Sequence, residues 1–377
     1  MVALTKHLFS GIAGGWLAGI RCHRCGRCGP ALATAAILFL SFDLRAQAPN
    51  ATAVPGAPPS AGAADTPQPA NPPPTPPPAL AARKLPGQVV YTAAVGSDGR
   101  LHDIHILFAA HVDFVIPALA ALQQWTADPT DPVRPGPSGN RFLIFNQPAA
   151  TPAQILAANF ITSPDGEAPT DRPRLEFLAD PVWPYDLMVK GTGGEVLVDF
   201  TVLANGSIGE IRIRAAAHPE LGKALRSAIE SWRFKPAIRN DAPVAVALEK
   251  RFVFRFGGRA GYPQDPLTAQ LLADARNGMA HSSEGLDGRL TPIYRAPPEY
   301  PHGLIGPRAP AGSAQISIIV GRDGRARLSR VDSASSEEFG WAAATAASQW
   351  VFAPPTKDGQ PADVPVLIPF SFAPRHR

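Results

Sequence analysis

The chain has 377 residues, room for two or three domains, and while 45% hydrophobic residues can fill real cores, 43 prolines assign much of the length to linkers. The net charge is +4, but residues 1–48 hold Lys6, Arg21, Arg24, Arg27 and Arg45 against Asp43 alone, leaving 30 basic and 30 acidic residues elsewhere. A neutral folded part lacks the concentrated positive field that gripping phosphate backbones requires, which excludes nucleic acid as a partner.

At the N-terminus, Arg21, Arg24 and Arg27 precede an apolar run from Ala31 to Phe42 that stops at Asp43. Ala46-Gln47-Ala48 follows with the small-x-small pattern of a signal-peptidase site. The run is shorter than the roughly 20 residues that span a bilayer. Residues 1–48 therefore predict export to the periplasm, either cleaved after Ala48 or retained as an inner-membrane anchor. Cys22, Cys25 and Cys28 all fall in this leader, with no fourth ligand, so their spacing is accidental and the remaining chain has no cysteine. Residues 49–82 hold twelve prolines and one charge, Asp65, which predicts an extended, disordered polyproline II spacer.

Three repeats follow. Asp98-Gly99, Asn205-Gly206 and Asp323-Gly324 each interrupt alternating apolar residues, the signal of a hairpin whose turn takes positive φ. Trp125, Trp232 and Trp350 each lie 27 residues after the first residue of their pair. Gly87, Gly194 and Gly312 lie 11 residues before it, and Phe145, Phe252 and Phe370 lie 20 residues after the tryptophan. Before each turn a strand alternates: Val89, Tyr91, Ala93 and Val95; Val196, Val198, Phe200 and Val202; Ala314, Ile316, Ile318 and Val320. Period two with one polar face predicts half-buried antiparallel sheet. Leu221, Leu225, Ala228, Ile229 and Trp232, like Phe339, Ala343, Ala346, Ala347 and Trp350, recur at helical spacing, with Pro236 and Pro354 as the stops. Returning strands Val244–Arg255 and Val364–Phe372 complete the second and third repeats.

The predicted fold class is thus α+β: tandem small domains, each a three-stranded antiparallel sheet with a helix packed on one face. The boundaries are a domain at 83–147, a linker at 148–180, a domain at 181–257, a linker at 258–291 and a domain at 292–377. Ala153–Ala157 and Ala269–Ala273 share the pattern Ala-Gln-apolar-Leu-Ala, which fits equally a short docking helix in each linker and a chance match in an alanine-rich chain.

Trp125, Trp232 and Trp350 are expected in the structural core, since each ends an amphipathic helix. His102, Asp103 and His105 resemble metal ligands, but strand alternation puts the two histidines on opposite faces, so no metal is expected. Nor does any G-x-S-x-G, H-E-x-x-H or P-loop occur. Neither catalytic residues nor a cofactor are expected, and the chain is read as a binding protein rather than an enzyme.

Trp183-Pro184, Gly194, Asn205-Gly206, Trp232-Arg233-Phe234-Lys235-Pro236 and Phe252-Val253-Phe254 resemble the TonB C-terminal domain family. So do Tyr300-Pro301, Gly312, Asp323-Gly324, Trp350-Val351-Phe352-Ala353-Pro354 and Phe370-Ser371-Phe372. The first repeat is degenerate: it keeps Trp125 and Pro129, but Ala127 replaces the phenylalanine and it has no Tyr-Pro opening. The resemblance implies binding of protein partners, outer-membrane receptor segments above all, by strand addition to the last strand. That strand maps to Val364, Val366, Leu367, Ile368 and Phe370, and to Val246, Leu248, Phe252 and Phe254. Two functions follow from the resemblance: an anchored energy transducer for transport, with an inner-membrane motor as a second partner if the leader is retained, or a passive periplasmic scaffold or adaptor. The family's anchor carries a Ser and a His that engage the motor; the Ala31–Phe42 run has no His.

Overall fold

A computed structural model describes residues 87–126, 141–145, 159–162, 169–255 and 265–375, with scattered positions between 71 and 81. The leader and its cleavage site, the three cysteines and Ala153–Ala157 lie outside the described residues. None of the described helices is long and apolar enough to cross a membrane.

In chain order, the first repeat contains β1 (Gln88–Val95), β2 (Leu101–Ala109), α1 (Val115–Leu122) and β3 (Arg141–Ile144). The second begins with β4 (Asn159–Thr162), β5 (Arg174–Phe177) and α2 (Tyr185–Val189). Its body is β6 (Gly194–Val202), β7 (Ile208–Ala216), α3 (Pro219–Ser231), β8 (Arg233–Lys235), a small hairpin of β9 (Ala237–Arg239) and β10 (Ala242–Val244), and β11 (Val246–Phe254). Helix α4 (Pro266–Arg276) and β12 (Pro292–Tyr294) lead into the third repeat. That repeat contains β13 (Gly312–Val320), β14 (Ala326–Ala334), α5 (Glu337–Ala347), β15 (Val351–Phe352), a hairpin of β16 (Thr356–Lys357) and β17 (Gln360–Pro361), and β18 (Val364–Phe372).

The sheets run β2-β1-β3, β4-β11-β6-β7 and β14-β13-β18, all antiparallel. In each, the returning strand closes beside the first strand of the hairpin. The alternation fixes which face is covered: Val196, Val198, Phe200 and Val202 are at most 1% exposed. Leu221, Leu225, Ala228 and Ile229 of α3 are fully buried, as the 3.6-residue period requires. His218 caps this helix by accepting from the Glu220 N–H, and Pro219 occupies the first turn, where no N–H is needed.

Three expectations change. The second sheet has four strands, because β4 arises from the segment read as a linker and pairs with β11. The helices also stop before their tryptophans: Trp232 is already extended, at φ −64 and ψ 149. The residues after it form β8, paired with β5, as β15 pairs with β12, so these short strands rather than Pro236 and Pro354 end the helices. In the turns, only the glycines take positive φ, 76 at Gly99, 80 at Gly206 and 83 at Gly324. Each closes a three-residue loop, as in Gly206 N–H to Leu203 O (2.9 Å) and Leu203 N–H to Ser207 O (2.9 Å). The preceding Asp or Asn accepts from the N–H two residues on, at 3.0, 3.0 and 3.1 Å for Asp98, Asn205 and Asp323.

The repeats also pack on one another. Helices α3 and α5 meet across a buried Ser227–Thr345 hydroxyl hydrogen bond of 2.9 Å. Buried His111 of the first repeat bonds Asp180 at 3.1 Å, and neighbouring Asp113 pairs with Arg325 in the third repeat's turn. Burial alone would raise the Asp113 pKa; Arg325 and His111 hold it below the ordinary carboxylate value. Residues 269–273 do lie in a helix, α4, whose Arg276 donates to the Met188 and Val189 carbonyls at the end of α2.

Candidate functional site

The last strand of the third repeat is a free edge: β18 pairs nine residues with β13, from Val364 opposite Val320 to Phe372 opposite Gly312, and no described strand lies on its other side. Pro365 and Pro369 have no N–H to give β13, so they occupy positions whose backbone groups point outward. Alternation then turns 365, 367, 369 and 371 outward. Four carbonyls face the open side, but only Leu367 and Ser371 supply donors. This divides the residues assigned to the third-repeat edge. Val364, Val366, Ile368 and Phe370 are buried under α5 and turn their backbone groups to β13, so of the five only Leu367 presents its N–H to a partner.

The second repeat is arranged differently. β11 pairs nine residues with β6, from Val246 opposite Val202 to Phe254 opposite Gly194, the same register as β18 on β13. Its other side is partly covered, with Ala247 opposite Thr162, Leu248 opposite Phe160 and Glu249 opposite Asn159. Val246 and Leu248 are buried; Phe252 is half-buried and its ring packs at a tilt against buried Phe254, ring centroids 5.0 Å apart. Past the end of β4, a shallow cavity of about 320 Å³ opens among Trp183, Gly193, Gly194, Val253, Phe254 and Arg255.

The tryptophans occupy interior positions of graded depth. Trp232 is 1% exposed and Trp350 8%, while Trp125 is half-buried against the first core. Trp232 donates its indole N–H to the Ala179 carbonyl at 2.8 Å, and Trp350 donates to Ala296 at 3.0 Å. Each acceptor lies four residues before the aromatic-Pro pair, so that pair's spacing from the tryptophan reflects this bond as well as packing.

A bulge corrects the placement of His102 and His105 on opposite faces. Asp103, at φ 50, adds a residue to β2, so His102 and His105 oppose Ala94 and Thr92, which share one face of β1. Alternation alone could not show this. Even so, the described residues contain no cluster of three or more potential metal ligands.

Sequence reasoning missed the carboxyl of Glu230, 6% exposed on α3. Burial pushes its pKa up to about 7, opposed by a hydrogen bond from the His302 backbone and by Arg226, and reinforced by Glu299 and Glu338. His302 is itself pushed below the usual histidine value by burial. These groups lie where α3 meets the start of the third repeat, beside the 2.6 Å Arg233–Glu299 ion pair. Helical spacing puts Glu230 opposite the Leu221, Leu225 and Ile229 stripe, beside Lys223 and Arg226, so the local pattern carried no signal for its burial, which comes from the third repeat.

With this geometry in place, residues 179–256 and 296–374 each match the family described as the Gram-negative bacterial TonB protein C-terminal. The chain is also similar to a TonB CTD from Pseudomonas aeruginosa solved by solution NMR, at 24% identity over 27% of this chain and 97% of that one, with a TM-score of 0.22. No curated protein matches the chain.

Proposed function

The second and third repeats are domains of the TonB C-terminal family, and from that premise we propose that the protein works in the periplasm by binding extended segments of protein partners, outer-membrane receptors foremost, through strand addition at β18. One observation carries this reading: among the described strands β18 is paired on one side only, with backbone groups facing outward at 365, 367, 369 and 371. Main-chain hydrogen bonds to such an edge supply affinity that side chains then refine. A domain that lends an edge needs neither a catalytic residue nor a cofactor. We read the first repeat as a degenerate third copy, a view supported by its sheet order, which matches that of β14-β13-β18, and by the same glycine-closed turn.

The test is binding of synthetic receptor-segment peptides to the chain and to two variants. Leu367→Pro removes one of two outward donors and should weaken binding at least tenfold, whereas Leu367→Ala, which keeps the N–H, should change it little. Binding untouched by the proline removes β18 from the mechanism.

Ala46-Gln47-Ala48 favours a second reading, a released scaffold that binds without transmitting force. The intact mass of the protein from the envelope fraction separates the two. A chain that begins at Pro49 is the scaffold, because a cleaved chain cannot carry force from the inner membrane. A mass that includes residues 1–48 restores the anchored transducer.

A further inference from the structure

We propose that β4 occupies the outer edge of β11, one of the two strands to which a partner would add, as a displaceable internal substitute for a partner segment. The proposal rests on the strand-addition reading for its chemistry, but concerns a different strand in a different repeat.

The two last strands are equivalent. Each pairs nine residues with a first strand that begins at a glycine, Gly194 or Gly312, and Phe252-Val253-Phe254 stands where Phe370-Ser371-Phe372 does. The outward positions of β18 are Pro365, Leu367, Pro369 and Ser371; those of β11 are Ala247, Glu249, Arg251 and Val253. β18 has thus lost two of its four outward donors, whereas β11 has lost none. A complete row of unpaired donors and acceptors invites pairing with any extended chain, so such edges are covered or interrupted. The third repeat interrupts its edge with proline. The second covers its edge with β4.

That cover is partial. The described residues of β4 pair with Ala247, Leu248 and Glu249, with a break in register between the first two. Among the described residues no strand pairs with Arg251 or Val253 on that side, and Val253 lines the cavity at the end of the strand. The occupant that fits is an extended protein segment, antiparallel to β11 and about six residues or longer. It would gain ladder bonds at Arg251 and Val253, which no described strand pairs with on that side. Because β4 is tethered, it competes at high effective concentration, so a short segment cannot displace it but a longer one can.

The probe is a labelled synthetic peptide with the sequence of residues 157–164, followed by fluorescence anisotropy on the whole chain. Replacing Asn159, Phe160, Ile161 and Thr162 by Gly-Ser-Gly-Ser should free the edge and tighten peptide binding at least tenfold over the intact chain. Adding Ala247→Pro should then abolish that gain. A proline is tolerated at the equivalent position, Pro365, so loss of binding reports the missing N–H rather than a broken strand. Leu367→Pro should leave this binding unchanged. Equal binding to the intact and replaced chains overturns the proposal. If Leu367→Pro removes the binding and Ala247→Pro does not, the peptide sits on β18; the β11 proposal falls and the general strand-addition reading stands. Amide exchange in the intact chain gives a reading that needs no replacement. The Ala247 and Glu249 amides, bonded toward β4, should exchange at least tenfold faster than those of Val246 and Leu248, bonded toward β6. Equal protection would make β4 a permanent strand and overturn the proposal.

Discussion

Gly206 and Gly324 do more than turn the chain. Each accepts a hydrogen bond from the phenylalanine two residues after the tryptophan, Phe234 to Gly206 at 2.9 Å and Phe352 to Gly324 at 2.8 Å. A Cβ on either glycine would collide with the carbonyl of that same phenylalanine. The fixed spacing between turn and tryptophan therefore records a physical clamp, and among the described residues of the first repeat the Arg100–Thr126 bridge holds the corresponding place. Glu230 makes a residue-scale prediction about pH. Its folded pKa of about 7 exceeds the ordinary 4.5, so between those values the folded state holds more protons than the unfolded one. Stability from this group is complete below about 4.5 and is lost as pH rises through about 7, by a few kcal/mol on the linkage slope. His302, with its lowered pKa, acts in the opposite direction as pH falls below its ordinary 6.5. Comparing Glu230→Gln with the parent isolates the glutamate: the variant should gain stability relative to the parent as pH rises from 5 to 8. A constant difference across thermal melts in that range would contradict the buried, protonated carboxyl.

At the scale of elements, patterning located the main strands and helices, but local irregularities set what they present. The bulge at Leu328, φ 50, matches that at Asp103, each five residues after the Asp of its turn, and each shifts the face of the residues that follow until a second break in register, at Asp332 and Leu107. A period-two rule cannot carry through such a position. The prolines of β18 are the opposite case, since their missing N–H groups are visible in sequence and determine which way the strand's backbone faces. Pro365→Ala with Pro369→Ala should restore four outward donors. The double variant is expected to bind extended peptides several-fold more tightly and to self-associate at high concentration. Sedimentation and anisotropy measure both, and a monomer with unchanged affinity would show that the edge does not limit binding through its donors.

For the whole molecule, linkers between repeats suggest domains that unfold separately, whereas the packing couples them. Ser227 meets Thr345 in a buried contact, and a single apolar cluster draws on residues from the first repeat, the second, and Tyr294, Leu328 and Val351. Trp350→Ala empties a large site and should cost about 3–5 kcal/mol. The loss should also lower the unfolding midpoint reported from the second repeat, because its α3 loses a structured neighbour. Two separable transitions, with that of the second repeat unmoved, would restore the picture of independent domains.

The α+β class, the spacing of the repeats, the hairpin turns and the returning strands of the second and third repeats were all legible in the order of residues. These follow from short-range rules: alternation, helical period and the φ that glycine permits. Edge accessibility was beyond those rules. Whether β11 is open depends on Asn159–Thr162, more than eighty residues away in sequence, folding back onto it. The burial of Glu230 and the meeting of His111, Asp180, Asp113 and Arg325 likewise depend on how the repeats stack. Such features emerge with the three-dimensional packing, because local periodicity specifies which face of an element is apolar and leaves open which distant segment will cover it.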